Sequence, residues 1–283
     1  MNDVYLLFPV GSFFDKLKKE VDKIMEIKNV SQANNFSLFC WNIANPSITR
    51  AGRQAEWLRK RPEDIIVLTE SKQSEGCIFL ERYFQAYGYN VVFPKPEKKE
   101  FGVIIVSKHP LGSSSFSDYV DFLRSRVAST KLSLSSDELE IIGIYVPSRD
   151  SSHEKIDKKK RFLKSLSNAL ETAPPPSRRI FCGDLNVLEP NHVPHYPFFE
   201  EWEYDFYRSL AKYQLKDTFR CLQPLIQEYS WVGRTGDGYR YDHCFVSENL
   251  LPLVKKCYYF HEPREVRLSD HSALICEFNF STK

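Results

Sequence analysis

The sequence has little glycine and almost no excess of either charge. Only 11 of its 283 residues are glycine, whereas aromatic residues make up 14% of the chain. This combination predicts a well-packed globular protein of one or two domains, and it excludes a disordered chain, a collagen or a coiled-coil rod. The 39 basic residues nearly balance the 37 acidic ones, for a net charge of +2. A polyanion would therefore have to bind a local basic patch rather than the overall field of the protein.

Paired cysteine motifs are also missing. The chain has seven cysteines at irregular spacing, none in a CxxC pair, and several lie inside apolar runs. This pattern predicts reduced, buried thiols in a cytoplasmic protein. It argues against a structural zinc site.

No apolar run is long enough to span a bilayer. The longest, residues 4–14, is broken by Pro9 and Gly11, and Asp3 stands where a secretory signal carries positive charge. We therefore expect an N-terminal segment that packs on the protein body rather than a signal peptide.

Apolar side chains recur at helical spacing over residues 13–28. This stripe predicts an amphipathic helix, which would pack on the protein or bind a partner or a membrane surface. We therefore divide the chain into an N-terminal extension, residues 1–33, and a catalytic domain, residues 34–281, and we expect a monomer.

Within the catalytic domain, strand and helix patterns interleave. Adjacent strand patterns without a helix between them argue against a purely parallel sheet, and they favour an α/β fold of two mixed sheets packed face to face and flanked by helices. The predicted strands cover 36–42, 64–69, 91–93, 103–107, 127–134, 139–146, 180–182, 243–246 and 273–280. The predicted helices cover 48–60, 78–87, 154–170 and 198–213.

Polar residues recur at the ends of the predicted strands, where burial costs energy unless the group is paired, hydrated or bound to metal. Several such residues from separate strands predict one convergent site of carboxylates, amides and an imidazole. They are Asn42, Glu70, Tyr145, Asp184, Asn186, Asp242, Asp270 and His271.

The residue types in this set indicate the chemistry. Carboxylate and amide oxygens without thiolates suit a hard cation, Mg²⁺ or Mn²⁺. Such a cation beside carboxylates and a histidine suits the attack of water on phosphorus, with a carboxylate taking the proton of the water.

The ordered motifs WN, TE, IYVP, GDLN, YRYDH and SDHSAL, between residues 36 and 280, resemble those of the exonuclease–endonuclease–phosphatase superfamily. The resemblance implies a four-layered α/β sandwich and a Mg²⁺-dependent phosphoesterase. It implies that Glu70 is the principal metal ligand, with Asn42 and Asp270 close to the metal. Asp184 would orient or deprotonate the attacking water, and Asn186 would face the phosphate.

The same resemblance places His271 on the scissile phosphate with Asp242 as its hydrogen-bond partner. Tyr145 matches the tyrosine of the exonuclease III-like and AP endonuclease branch, whereas the DNase I-like branch has a histidine there. Two features depart from that branch: Ser148 stands where an amide is common, and the 231–242 loop, which would wall an abasic-sugar pocket, is short. These departures bear on abasic specificity more than on phosphodiester hydrolysis.

A basic run at 158–161 could join Arg149, Arg234 and Arg240 in a local phosphate-binding patch, with Trp231 beside it. The alternative is that the run is only a solvated helix face. The sequence is compatible with both interpretations.

Together these patterns predict a Mg²⁺-dependent phosphodiesterase, with DNA as the favoured substrate. The same chemistry would also serve RNA, a tyrosyl–DNA link, a phosphoinositide or another small phosphoester. The near-neutral charge keeps those substrates open, although CGDLNV and YDHC differ from the motifs of inositol phosphatases. A binding module that has lost catalysis is the remaining alternative, and the complete set of acids, amides and histidine argues against it.

Overall fold

The computed structural model describes residues 35–97, 99–133 and 138–280. The predicted extension, residues 1–33, and its amphipathic helix lie outside these residues. Among the described helices, none combines the length and the apolar character that crossing a membrane requires.

Fourteen strands form two six-stranded sheets and a small hairpin in the described part of the chain. In chain order the strands are β1 Asn35–Asn42, β2 Ile65–Ser71, β3 Asn90–Val92, β4 Gly102–Ser107, β5 Gly112–Ser113, β6 Val127–Ser133, β7 Glu138–Tyr145, β8 Arg178–Asp184, β9 Leu215–Asp217, β10 Trp231–Val232, β11 Gly238–Tyr239, β12 Asp242–Ser247, β13 Val254–Phe260 and β14 Ala273–Asn279. The first sheet has the order β13-β14-β1-β2-β4-β3 and the second the order β5-β6-β7-β8-β12-β9.

Six α-helices flank the sheets or join their strands in the described residues. They are α1 Ile48–Arg59, α2 Glu75–Ala86, α3 His153–Thr172, α4 Glu201–Ser209, α5 Thr218–Leu222 and α6 Glu262–Glu265. Serine side chains cap α1 and α2, where Ser47 and Ser74 accept hydrogen bonds from backbone N–H groups of the first turn. The first two helices begin where such a cap follows a loop.

Three apolar clusters account for the layers. One lies between the sheets and includes Val67 and Ile105 of the first sheet with Ile141 and Cys182 of the second. A second packs α3 and α4 on the outer face of the second sheet, and a third packs α1 and α2 on the first. The predicted α/β fold, a four-layered sandwich of two mixed sheets flanked by helices, is confirmed.

The differences from the predicted elements lie mainly at the edges. The predicted helix over 198–213 is shorter, because α4 ends at Ser209 and a 3-10 turn follows. The edge strand β13 was missed, since it carries exposed lysines at 255 and 256 that interrupt its apolar alternation. Exposed charge is a common property of edge strands because it hinders pairing with another chain.

Strand direction gathers the predicted site at one edge of the sandwich. β1 pairs in parallel with β2, and β7 pairs in parallel with β8, so the strand ends at Asn42 and Tyr145 each have a neighbouring strand end. Tyr145 lies opposite Asp184, which lies opposite Asp242 at the start of the antiparallel β12. The segment that carries His271 leads into β14, which is antiparallel to β1, and so begins at the same edge.

The close contact of the two sheets predicts a strong effect at Gly143. A Cβ atom added there would lie 2.7 Å from Cγ1 of Val67 and 2.8 Å from Cγ1 of Val103 on the facing sheet. We expect Gly143→Ala to lower the free energy of unfolding by about 1–3 kcal/mol, because the packed layer has no room for a methyl group. In the matched control, Gly52→Ala in α1, the added Cβ has no atom within 4 Å. That helix substitution should be stabilising, by about 0.5–1 kcal/mol. Urea unfolding measures both, and equal effects would contradict the packing described.

A buried carboxylate predicts how stability depends on pH. Burial raises the pKa of Asp217, but the charges of Arg240 and His243 more than offset that effect, and the net pKa is lowered. Because the folded-state pKa lies below the unfolded one, this carboxylate stabilises the fold above its ordinary pKa and loses that contribution as the pH falls below about 4. Asp217→Asn should therefore cost about 3–5 kcal/mol at pH 7, where Arg240 would lose a buried partner, and the difference from wild type should shrink at pH 3. Urea unfolding at both pH values measures this, with the exposed Glu248→Gln as control. A difference that grows toward acid pH would contradict the assignment.

Candidate active site

The predicted site residues converge where the ends of β1, β2, β7 and β8 meet the start of β12. Asn42 is central to this arrangement. Its Nδ2 donates to Glu70 Oε2 at 3.0 Å and to Asp184 Oδ2 at 2.9 Å, and its Oδ1 accepts from the N–H of Ala44 at 2.8 Å. One buried amide therefore joins a carboxylate of the first sheet to a carboxylate of the second.

Tyr145 connects the same two sheets from the other side. Its hydroxyl donates to Glu70 Oε2 at 3.0 Å. Burial raises the pKa of Tyr145, and the negative charges of Glu70 and Asp184 raise it further. The phenol therefore stays protonated and remains a hydrogen-bond donor at neutral pH.

Asp184 has the environment of a general base. Burial raises the pKa of Asp184, as does the charge of Asp242, whereas His271 and the N–H of Asn186 lower it, with a net value of about 7. A carboxylate with a pKa close to neutral takes up a proton more readily than an exposed one. A divalent cation bound beside it would lower that pKa again.

Asp242 and His271 form a buried pair. His271 Nδ1 lies 2.7 Å from Asp242 Oδ2. Burial lowers the pKa of His271, but the charge and hydrogen bond of Asp242 raise it to a net value of about 9. The imidazole is therefore cationic at neutral pH, which suits contact with a phosphate oxygen.

The backbone at the strand ends is locally unusual, and it turns these side chains into the site. Glu70 and Asn186 have left-handed backbones, with φ of 55° and 47°. Gly183 has φ of 149°, and a Cβ atom there would lie 1.8 Å from the carbonyl oxygen of Ile144. The glycine of the GDLN motif is thus required by close approach of a neighbouring strand. Strained backbone of this kind is frequent at functional sites.

The donor set fits a hard divalent cation. Ligand atoms of Asp184, Asp242 and His271 lie within 4.8 Å of one another. Asp242 Oδ1 is buried without a hydrogen-bond partner among the described residues, and in the same residues no donor reaches Glu70 Oε1. These carboxylates offer uncommitted oxygens of the kind that Mg²⁺ or Mn²⁺ binds. In its cationic state His271 has no free nitrogen lone pair to offer to a metal ion.

Asn42 and Asp270, the other two residues predicted near the metal, differ from Glu70 in the atoms that they turn toward the site. Asn42 turns its donor nitrogen, not its oxygen, toward the two carboxylates. Asp270 is exposed, and its Oδ2 accepts from Trp231 Nε1 at 2.9 Å. In this structure Asn42 holds the acids in place, and Asp270 orients the indole of Trp231 at the rim.

The predicted basic patch needs correction at two positions. Arg240 has no exposed surface, and its guanidinium pairs with Glu189 and Asp217. Arg149 pairs with Glu203, and its side chain is only 3% exposed. Both arginines are committed to internal carboxylates and cannot track a phosphate backbone. Arg234, in contrast, is exposed in the turn between β10 and β11.

Sequence reasoning missed three supports of the site. Arg126 donates to the carbonyl of Tyr145, and Ser269 donates to the carbonyl of Asn42. Lys159 donates to the carbonyl of Asn186. None of these residues follows an apolar strand, and this was the signal that identified the other members.

Asn186 faces the site with less freedom than the motif suggests. Its backbone N–H donates to Asp184 Oδ1 at 2.8 Å, and its Nδ2 donates to the carbonyl of Val146 at 2.9 Å. The residue therefore supports Asp184 directly, in addition to the predicted contact with phosphate.

Comparison with known proteins agrees with this geometry. Recombination repair protein 1 of Drosophila melanogaster is 25% identical over 275 residues, which cover 87% of this chain and 37% of that protein. This chain thus spans well under half the length of that relative.

Solved structures share the fold over nearly the whole described domain. An AP endonuclease from Archaeoglobus fulgidus is 25% identical with a TM-score of 0.72, covering 86% of this chain and 99% of that one. The 3'-5' exonuclease NExo from Neisseria meningitidis is 23% identical with a TM-score of 0.74, covering 86% and 100%. The AP endonuclease LMAP from Leishmania major is 19% identical with a TM-score of 0.69, covering 87% and 88%. Because the last two structures are 23% and 19% identical to this chain, they show a shared fold and nothing more.

The sequence profile of the Endonuclease/Exonuclease/phosphatase family matches residues 39–271, which include every residue of the site described above. The resemblance predicted from the motifs is confirmed, including the likeness to AP endonuclease and exonuclease structures. The chain belongs to the Endonuclease/Exonuclease/phosphatase family.

Proposed function

We propose that this protein is a Mg²⁺-dependent phosphodiesterase of the exonuclease III-like kind, acting on DNA as a cytoplasmic monomer. The observation that carries the proposal is the shared amide of Asn42, which holds Glu70 and Asp184 side by side within reach of a cationic His271. Carboxylates and one buried cation in this arrangement suit the hydrolysis of an anionic ester.

Each residue of the site has its own role in the proposed reaction. Asp184 orients the attacking water and accepts its proton, and burial together with the charge of Asp242 raises the pKa of this carboxyl group and makes it a better proton acceptor. His271 and Asn186 bind the non-bridging oxygens of the phosphate, with Asp242 holding the imidazole in place. Tyr145, which stays protonated, donates a hydrogen bond at the phosphate or to Glu70.

Glu70 would hold the divalent cation through Oε1, since only its Oε2 accepts hydrogen bonds among the described residues. When bound, Mg²⁺ would supply positive charge that neutralises the phosphate oxygens as charge builds up on them. Mn²⁺ would fit the same oxygen ligands.

DNA is favoured because the relatives point that way. The Archaeoglobus structure is an AP endonuclease, and the Drosophila relative is a recombination repair protein. The seven free cysteines, six of them buried, support a cytoplasmic location, where thiols stay reduced.

A different phosphoester is the second candidate. It is supported by the packing of the tyrosines in the 231–242 loop, the loop expected to wall an abasic-sugar pocket. Tyr239 stacks on Tyr196 at 4.4 Å between ring centroids and on Tyr241 at 5.2 Å. The short loop that carries Tyr239 and Tyr241 thus packs its tyrosines on one another. RNA, tyrosyl-linked ends and phosphoinositides therefore belong in the substrate panel.

Replacing the base provides the first functional test. We expect Asp184→Asn to lower Mg²⁺-dependent cleavage about 10²–10⁴-fold, because the amide cannot take the proton of water. A labelled duplex with one abasic site and one recessed 3′ end measures this, with product lengths separating incision from trimming. EDTA should abolish cleavage by the wild type.

The matched control is Glu248→Gln, which lies just beyond the far end of β12 from Asp242 and is exposed. It should cleave like the wild type. An intact duplex under every condition would remove DNA as the substrate, and the panel of other phosphoesters would follow. Metal-independent cleavage would contradict the metal assignment.

The partner of the histidine provides the second test. We expect Asp242→Asn to lower kcat about 10²–10⁴-fold, because the amide supports the cationic imidazole far less than a carboxylate does. The contact of Tyr259 with the backbone carbonyl of residue 242 at 2.6 Å does not need the carboxylate, so the fold should persist. Steady-state cleavage and circular dichroism measure the two properties. A folded variant with kcat within twofold of wild type would show that the pair is structural.

A further inference from the structure

One member of the basic run at residues 158–161 differs from its neighbours. Lys158 is half-buried and pairs with Glu100, and Lys160 is exposed beside the ring of Trp202. Lys159 between them is completely buried. The run is therefore not uniformly a solvated helix face, because the helical turn of about 100° per residue points this lysine alone into the protein.

The buried ammonium of Lys159 has two acceptors. Its Nζ donates to the backbone carbonyl of Asn186 at 2.6 Å and to Glu203 Oε1 at 2.5 Å. Glu203 is itself fixed from the other side by Arg149, whose Nη2 lies 2.6 Å from Oε2. A buried charge must be paired and hydrogen-bonded in this way to persist. The pair with Glu203 thus anchors the ammonium against the turn after β8.

That turn needs an anchor. Asn186 has a left-handed backbone, which asparagine adopts more readily than most residues but which still needs surrounding contacts to hold it. Its carbonyl is held by Lys159, its side-chain Nδ2 by Val146, and its N–H donates to Asp184 Oδ1. Lys159 therefore bonds the peptide group that follows Asn186, and the peptide group that precedes Asn186 bonds Asp184.

We propose that Lys159 is a positioning residue for hydrolysis, whose ammonium locks the left-handed turn at Asn186 and thereby holds the Asp184 carboxylate in its working orientation. The proposal rests on the proposed function for its effect on rate. Its geometric part, the lock on the turn, stands separately.

Lys159→Met tests it, because the methionine keeps the length of the side chain but cannot donate. We expect kcat to fall about 10–100-fold with KM within twofold, since a misplaced base slows the chemical step without weakening substrate binding. Lys159→Arg keeps a buried cation with altered geometry, so it should fold if the methionine variant does not and should have intermediate kcat. Wild-type rates for both variants would overturn the proposal.

A double-mutant cycle separates positioning from general damage. If Lys159 acts through Asp184, Lys159→Met in the Asp184→Asn background should lower the residual rate by less than twofold. A loss as large as in the wild-type background would show a structural role. The matched control is Leu166→Ala, two turns along α3 in the apolar cluster, which should lower stability while leaving kcat near that of the wild type.

Hydrogen exchange adds a readout that needs no substrate. The N–H of Asn186, bonded to Asp184, should exchange at least tenfold faster in Lys159→Met and Lys159→Arg, but not in Leu166→Ala. Unchanged exchange at this amide would overturn the lock on the turn. If the wild-type protein cleaves no phosphoester, the proposed function fails and the exchange result still decides the geometric part.

Discussion

The candidate site depends on a single amide placed between two acids. Glu70 belongs to one sheet and Asp184 to the other, and Asn42 donates to both from the end of β1. Two carboxylates so close together repel each other and are unfavourable when buried. Donors such as Asn42 and Tyr145, a proton on Asp184 or a bound cation relieve that repulsion. The packing of the two sheets must therefore bring the ends of β1 and β8 together, and the apolar cluster between the sheets provides that alignment.

Buried ion pairs fix the loops that follow the strands. Arg240, fully buried, joins Glu189 and Asp217 beneath β12, and Lys159 with Arg149 holds Glu203 beside the turn after β8. Removing one partner from such a pair is costly, because the other charge stays buried. These networks support the loops that carry the candidate site, and the proposed role of Asp184 as a base requires such precise placement.

The sequence predicted most of this arrangement because its strongest signal is local. Asn42, Glu70 and Asp184 each follow an apolar strand, so a polar residue at a strand end was enough to identify them. The role of Arg240 could not be found in this way, since its two acidic partners are distant in the chain and only the fold brings them together. Lys159 was hidden for a related reason: its neighbours have the same charge, and only the helical rotation separates the buried lysine from the exposed ones. The edge strand β13 was missed because the lysines that protect an edge also obscure its strand pattern.

The incorporation of oxygen from labelled water tests the central claim most directly. Cleavage of a DNA duplex with Mg²⁺ in H₂¹⁸O, followed by mass analysis of the product ends, shows which atom attacks the phosphorus. We expect one ¹⁸O atom in the newly formed terminal phosphate, because water oriented by Asp184 supplies the new oxygen. A product phosphate without ¹⁸O, or the absence of any Mg²⁺-dependent product from DNA, would contradict hydrolysis of DNA at this site.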